Sequence, residues 1–278
     1  MNTILPRYQY REKVLPWIGT ALVKVFTGMR RSGKSYILRD IYTMLVTDKN
    51  ISPNHIVVID KEQREFDTLR NATDLSTYIQ SKNIPHTPQV LMIDEIQDIT
   101  DWERVIRSLI ATEKWDIYIT GSNSHMLSGE LATYLTGRYI EIPVAPLTFR
   151  EFREFYSHYH TDTLDSMALF QEFIRFGGLP GLHRLEWSAE TLVTYLEGVW
   201  TSILYHDLIK RYQVRHASVF ADIFRFLIDN IGNTLSSRRI LAFLREEKII
   251  LAADTLRDYL LYFANVFLLR KVQREDIR

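Results

Sequence analysis

From Leu22 to about Pro143, short apolar runs alternate with segments whose apolar residues recur at helical spacing. "LVKVFT" (22–27), "HIVVID" (55–60), "QVLMID" (89–94), "DIYIT" (116–120) and "RYIEIPV" (138–144) read as strands. Several are almost unbroken Val, Ile and Leu, the pattern of strands covered on both faces. Between them, "SYILRDIYTMLV", "DLSTYIQSK", "DWERVIRSLIATE" and "SHMLSGELATYLT" read as helices, with Asp74 and Asp101 expected as N-caps. This alternation predicts an α/β domain on a doubly wound parallel sheet, with ligands at the carboxyl ends of the strands.

After Pro146 the pattern changes and helical segments dominate. "LTFREFREFYSHYH" places Phe149, Phe152, Phe155, Tyr156 and Tyr159 on one stripe, which reads as core packing, and "GGLPG" (177–181) reads as a turn. "SVFADIFRFLIDN", "SRRILAFLREE" with Ser236 as its cap, and "DTLRDYLLYFANV" are three further helices, followed by "FLLRKVQ" as a candidate wing strand. The expected organisation is a core over residues 1–145, a helical lid or linker over 146–215 and a winged-helix-like segment over 216–278. The third helix of such a segment can enter the DNA major groove. Here Asp254, Arg257 and Asp258 give that helix an acidic balance, and the basic residues are Arg238, Arg239, Arg245 and Lys248 on or after the second helix. DNA reading and subunit packing therefore stand level for this segment.

Charge and composition narrow the class. The chain has 278 residues, and its 34 basic and 34 acidic side chains cancel, so it carries no overall attraction for nucleic acid or membrane. With no cysteine, disulfides and thiolate metal sites are excluded. No apolar run is long enough to span a bilayer and the start lacks a secretory core, so a cytoplasmic location is expected. His158 and His160, two apart on a helix, lack the i, i+4 spacing of a zinc pair and read as exposed polar residues.

The chemistry begins at "GMRRSGKS". Gly28, Gly33, Lys34 and Ser35 fit G-x-x-x-x-G-K-[ST], between an expected strand and an expected helix. Glycines there let backbone N–H groups turn in on phosphates, the lysine neutralises β/γ oxygens, and the serine hydroxyl ligates Mg²⁺. Met29, Arg30, Arg31, Ser32 and Tyr36 complete the candidate nucleotide-contacting stretch. About sixty residues on, a strand ends in Asp94-Glu95; the aspartate suits Mg²⁺ opposite Ser35, and the glutamate suits activation of water. Ser122 or Asn123, at the end of the next strand, would stand between the acidic pair and a γ-phosphate. Arg138 lies between a helix and a strand. It could reach a neighbouring subunit's phosphates, or it could simply favour a helix C-terminus.

Together, "TGMRRSGKS", "VLMIDEIQ", "ITGSNS", "LTGRYIEIPVAPLTFREF" and "FGGLPGL" resemble a widespread bacterial and archaeal group of AAA+ ATPases, over most of residues 20–185. In that group a phosphate-loop ATPase domain precedes a C-terminal region of undefined function. The resemblance implies ATP and Mg²⁺, Walker A at Gly28–Ser35, Walker B at Asp94 and Glu95, sensor 1 at Ser122/Asn123, and an arginine-finger-like position at Arg138. A homo-oligomer would follow from Arg138 acting across subunits. Arg175 and Arg184 are candidates by location for a second sensor. Members of the group often continue past the point where this chain ends, so a truncated C-terminus is expected. A P-loop kinase and a nucleotide-controlled DNA-binding switch are the alternatives to an ATPase.

Overall fold

The computed structural model describes residues 5–272 apart from 86, 123–134, 136, 215, 235 and 271. Five strands, β1 (Val23–Thr27), β2 (Ile56–Asp60), β3 (Gln89–Asp94), β4 (Trp115–Gly121) and β5 (Tyr139–Pro143), form one parallel sheet in the order β2-β3-β4-β1-β5. Strands β1, β3 and β4 are buried along their whole length, which accounts for their unbroken apolar sequence. The edge strands β2 and β5 instead expose Val58 and Glu141.

Alternation of side chains across each strand divides the core into two layers. Val25, Ile59, Leu91, Ile93, Ile117 and Ile119 pack with α3 (Ala72–Lys82) and α4 (Trp102–Ala111) on one face. Phe26, Ile56, Val90, Met92 and Tyr118 pack on the other with α1 (Tyr8–Val14) and α2 (Lys34–Thr47). Helix α2 buries Ile37, Leu38, Ile41, Met44 and Leu45, one continuous stripe at helical spacing. Each such side chain stabilises the fold by about 1.5–3 kcal/mol. Helix α3 is capped by Asn71, whose side chain accepts the Thr73 and Asp74 N–H groups at 2.9 and 3.1 Å. Asp74 is thus not the cap: the extended backbone a cap needs occurs three residues earlier, and Asp74 lies in the first turn, accepting the Arg70 N–H. Asp101 does precede α4, but makes no side-chain capping bond. The helix expected over 124–136 falls almost wholly outside the described residues.

Beyond the sheet, α5 (Phe149–Tyr159) starts with a reciprocal Thr148–Glu151 capping box and buries Phe152, Phe155 and Tyr156 against α6 (Ser166–Phe176). At Gly178 a Cβ would come within 2.4 Å of the Leu147 carbonyl, and the Leu147 N–H donates to the Gly178 carbonyl at 2.6 Å. Only glycine permits this contact. His158 is exposed as expected, but His160 is half-buried, stacked on Tyr156 at 4.5 Å and 5.1 Å from Trp187. The aromatic stripe of α5 continues into the chain after it and covers that ring.

The chain divides into two compact units, residues 1–192 and 193–278, and α7 (Ala189–Ser202) carries it across the boundary. The second unit continues with a π-helical stretch, Ile203–Lys210, and then α8 (Ala217–Asp229), α9 (Ser237–Glu246) and α10 (Ala253–Asn265). Phe220, Phe224 and Phe263 form its centre, with the Phe220 and Phe263 rings 4.3 Å apart. Ser236 caps α9 by accepting the Arg239 N–H. Among the described residues no strand follows β5; of the expected wing, 271 and 273 lie outside the description.

Candidate functional site

The segment joining β1 to α2 lies at the carboxyl edge of the sheet. Gly28 has φ +154°, and a Cβ there would meet the Val144 carbonyl oxygen at 2.2 Å. The loop therefore runs against the end of β5 in a way only glycine allows. Lys34 folds back over the loop, donating to the Gly28 and Met29 carbonyls at 3.1 and 3.2 Å. Met29 and Arg30 are half-buried, Arg31 is exposed with φ 67°, and Ser32 is buried with its hydroxyl oxygen lacking a hydrogen-bond partner. Gly33, with φ 98°, opens the helix. Tyr36 is exposed and accepts a hydrogen bond from Arg184 at 2.6 Å, with the guanidinium 4.6 Å above its ring. Arg175 lies instead over Phe176.

The sheet order inserts β4 between β1 and β3. Register pairs Ile93 with Ile119, so Asp94 and Thr120 stand side by side at the carboxyl ends. Thr120 donates its hydroxyl to Asp94 and accepts the Glu95 N–H at 2.9 Å. The Ser35 hydroxyl also bonds Asp94. Burial pushes the Asp94 carboxyl up, and neighbouring Glu95 and Asp60 push the same way, against the lowering effect of the two hydroxyls. Glu95 sits in the left-handed region at φ 52°, which turns the chain sharply out of β3. Its carboxylate lies 3.7 Å from the Lys34 ammonium and accepts from the Gln97 amide, which also approaches Ser122 at 3.4 Å.

The fold thus brings Lys34, Ser35, Asp94, Glu95 and buried Ser122 to one place. Asn123 lies outside the described residues. Arg138 does not join them within the chain: it is exposed just before β5, at the amino edge of the sheet, because β5 runs parallel to β1 from that side.

Thr120 and Gln97 were missed by sequence reading; the nearest signal was their place at or just beyond a strand end. Arg7 carried no signal. Its buried guanidinium bonds Glu151 at 2.7 and 3.1 Å, the Ser32 carbonyl at 3.2 Å and the Ala145 carbonyl at 3.0 Å. Burial would raise the Glu151 carboxyl, but the Arg7 and Thr148 bonds outweigh it and hold the group below its ordinary value. One side chain so ties the loop to the end of the sheet and to α5. Among the described residues no group of three or more His, Cys, Asp or Glu could hold a metal by itself. No described helix is long and apolar enough to cross a membrane.

A parallel five-stranded sheet of this order, with a glycine-bounded loop opening α2 and an acidic pair ending β3, defines a P-loop NTPase of the AAA+ type. Residues 21–153 match the family described as AAA domain, and residues 167–276 match a domain of unknown function, DUF8612. An uncharacterized protein of Haemophilus influenzae is 32% identical over 284 residues, spanning all of this chain and 68% of that protein. An uncharacterized protein of Methanocaldococcus jannaschii is 29% identical over 258 residues, spanning 89% of this chain and 55% of that one. The chain belongs to this bacterial and archaeal family of AAA-domain proteins. Its fold is similar to the Thermotoga maritima RuvB Holliday junction branch migration motor, with TM-score 0.51, 17% identity and coverage of 94% of this chain and 87% of that one.

Proposed function

We propose that the protein binds ATP together with Mg²⁺ and hydrolyses it, and that nucleotide state moves the C-terminal module. One observation carries the reading: the Lys34–Glu95 approach of 3.7 Å, with the Ser35–Asp94 bond beside it, at the mouth of a glycine-bounded loop. The donor set fits a hard divalent ion. A hydroxyl and a carboxylate, oxygen donors both, already meet at one point, as Mg²⁺ sites at phosphates require. When bound, Mg²⁺ offsets charge on the β and γ oxygens.

The chain's own residues supply the rest. Lys34 is a point charge held over the loop, at the N-terminus of the helix that Gly33 opens. The buried, unpartnered Ser32 hydroxyl is a further donor within the loop. Glu95 takes the proton of the attacking water, and Gln97 sets the direction of its carboxylate. Ser122 reports on the γ-phosphate from the end of β4. Arg138, at the far edge in its own chain, acts at the site of an adjoining copy. The acidic pair favours water over a bound phosphoryl acceptor, which places hydrolysis ahead of a kinase.

Glu95→Gln tests the reading. ATP binding should persist while phosphate release falls at least about a hundredfold; undiminished release would overturn the assignment.

A further inference from the structure

Three carboxylates, not two, end neighbouring strands at this edge. Asp60 closes β2 in direct register with Asp94 on β3. Alternation along both strands puts these two side chains on the face covered by α2, with Ile56 and Val58 preceding one and Met92 the other. Asp60 and Asp94 are both buried. Ser35, Leu38, Arg39 and Tyr42 of α2 and the ends of β2 and β3 together line a solvent-open cavity of about 300 Å³. Ser35, Asp60 and Asp94 share its walls with apolar side chains. At about 30 Å³ per water, that volume holds several solvent molecules.

Asp60 is already oriented. One oxygen accepts the Glu62 N–H at 3.0 Å; the other accepts the Gln63 amide at 2.8 Å and the Arg39 guanidinium at 3.3 Å. A carboxylate has about four acceptor sites, so capacity remains. Arg39 is about half exposed, so it fixes Asp60 from the solvent side without fully cancelling its charge. Asp60 and Asp94, buried in register, repel one another, and Arg39 reaches Asp60 from the solvent side.

We propose that Asp60 is an outer-sphere anchor for the metal: through water in this cavity its carboxylate holds the ion that Ser35 and Asp94 ligate, with Arg39 fixing its orientation. This rests on the reading of Ser35 and Asp94 as metal ligands. Asp60 is a positioning residue that touches neither nucleotide nor metal directly.

The test is Mn²⁺ titration, followed by electron paramagnetic resonance, of the full chain carrying a non-hydrolysable ATP analogue. Asp60→Asn should weaken Mn²⁺ binding about tenfold, within the range for outer-shell partners, and Arg39→Gln about two- to threefold. Affinity for the analogue in EDTA should not change in either. Gln63→Ala removes a bond of the turn but leaves the carboxylate, and should keep Mn²⁺ affinity. Mn²⁺ affinity within twofold of wild type in Asp60→Asn, while Asp94→Asn loses the ion, overturns the inference alone. Retention in Asp94→Asn as well overturns the metal reading beneath it. A loss in Gln63→Ala equal to that in Asp60→Asn means Asp60 acts only through the turn, and also overturns the inference. If Asp60→Asn does not fold, Asp60→Glu carries the test: its displaced carboxylate should weaken Mn²⁺ binding at least threefold, and unchanged affinity is the refuting result.

Discussion

Two buried lysines meet carboxylates at opposite ends of the same sheet, and they are built differently. At the amino edge Lys24 is fully buried, donates to the Asp116 carboxylate and the Thr20 carbonyl, and lies 5.1 Å from the centre of the Tyr118 ring. Asp116 also accepts the Gly19 N–H and the Tyr118 hydroxyl, each at 2.8 Å. Burial pushes the Lys24 ammonium down, with Asp116 opposing it, and pushes the Tyr118 phenol up. At the carboxyl edge Lys34 stands 3.7 Å from Glu95, Glu95 is in a left-handed conformation, and the Ser32 hydroxyl and Gln97 carbonyl oxygen are buried without partners. The first site closes its hydrogen bonds on itself; the second leaves capacity facing the loop. Unsatisfied buried groups and left-handed backbone both cost stability.

The largest effect should separate the two lysines. Lys24→Met strands Asp116 and should cost about 3–5 kcal/mol in urea unfolding, while the molecules that remain folded bind nucleotide normally. Lys34→Met should instead weaken nucleotide binding on the order of a hundredfold, and it should cost less stability than Lys24→Met because its pairing with Glu95, at 3.7 Å, is looser. A Lys24→Met protein as stable as wild type would break the comparison.

Arg7 belongs to both categories, since it holds the loop from outside. Arg7→Ala leaves Glu151 without its guanidinium and should cost about 3 kcal/mol. Thermal melting with and without an ATP analogue measures this, and the analogue should recover less stability than in wild type because the Ser32 carbonyl is no longer tied.

His183 gives an acid-sensitive counterpart away from the strand ends. Its ring is buried with neither nitrogen hydrogen-bonded, stacked on Trp187 at 5.2 Å. Burial, aided by His160, lowers its pKa to about 3. The folded state therefore resists a proton that the unfolded chain takes up near pH 6.5. This contribution to stability is complete above that value and falls as pH drops toward 3, by about 2 kcal/mol at pH 5. Urea titrations at pH 7.5 and 5 should show the loss, and His183→Phe should remove most of it.

The smallest effect is expected at Asp94. Its raised pKa means that the ionised carboxyl is unfavourable in the fold, so the penalty appears as pH rises through the unfolded value near 4. Asp94→Asn should raise stability by about 1 kcal/mol near neutral pH in thermal melts, together with loss of metal-dependent nucleotide binding. A stability loss instead would mean that the Ser35 and Thr120 bonds outweigh burial.

The strands and the loop were legible because their signals are local. Unbroken apolar runs mark strands buried on two faces, and the loop's glycines and lysine sit within eight residues of one another. Asp94-Glu95 was legible for the same reason, as an acidic end to an apolar strand. The exact cap of α3 was not, because Asn71 and Asp74 are both good caps and only backbone conformation chooses between them. His160 reads as exposed because, besides Tyr156 one turn back, its cover comes from Trp187 and His183, more than twenty residues on.

By itself, then, the sequence determined an α/β sheet, a phosphate-type loop and an acidic strand end, all written in spacing along a few turns of chain. Strand order and register decided the rest. They put Thr120 between the loop and Asp94, set Asp60 beside Asp94, drew Arg7 to Ser32 and Glu151, and left Arg138 at the opposite edge. Such contacts join residues from about 25 to more than 140 positions apart. A local pattern fixes which face a side chain takes, but which strand lies next to it depends on how the whole sheet packs.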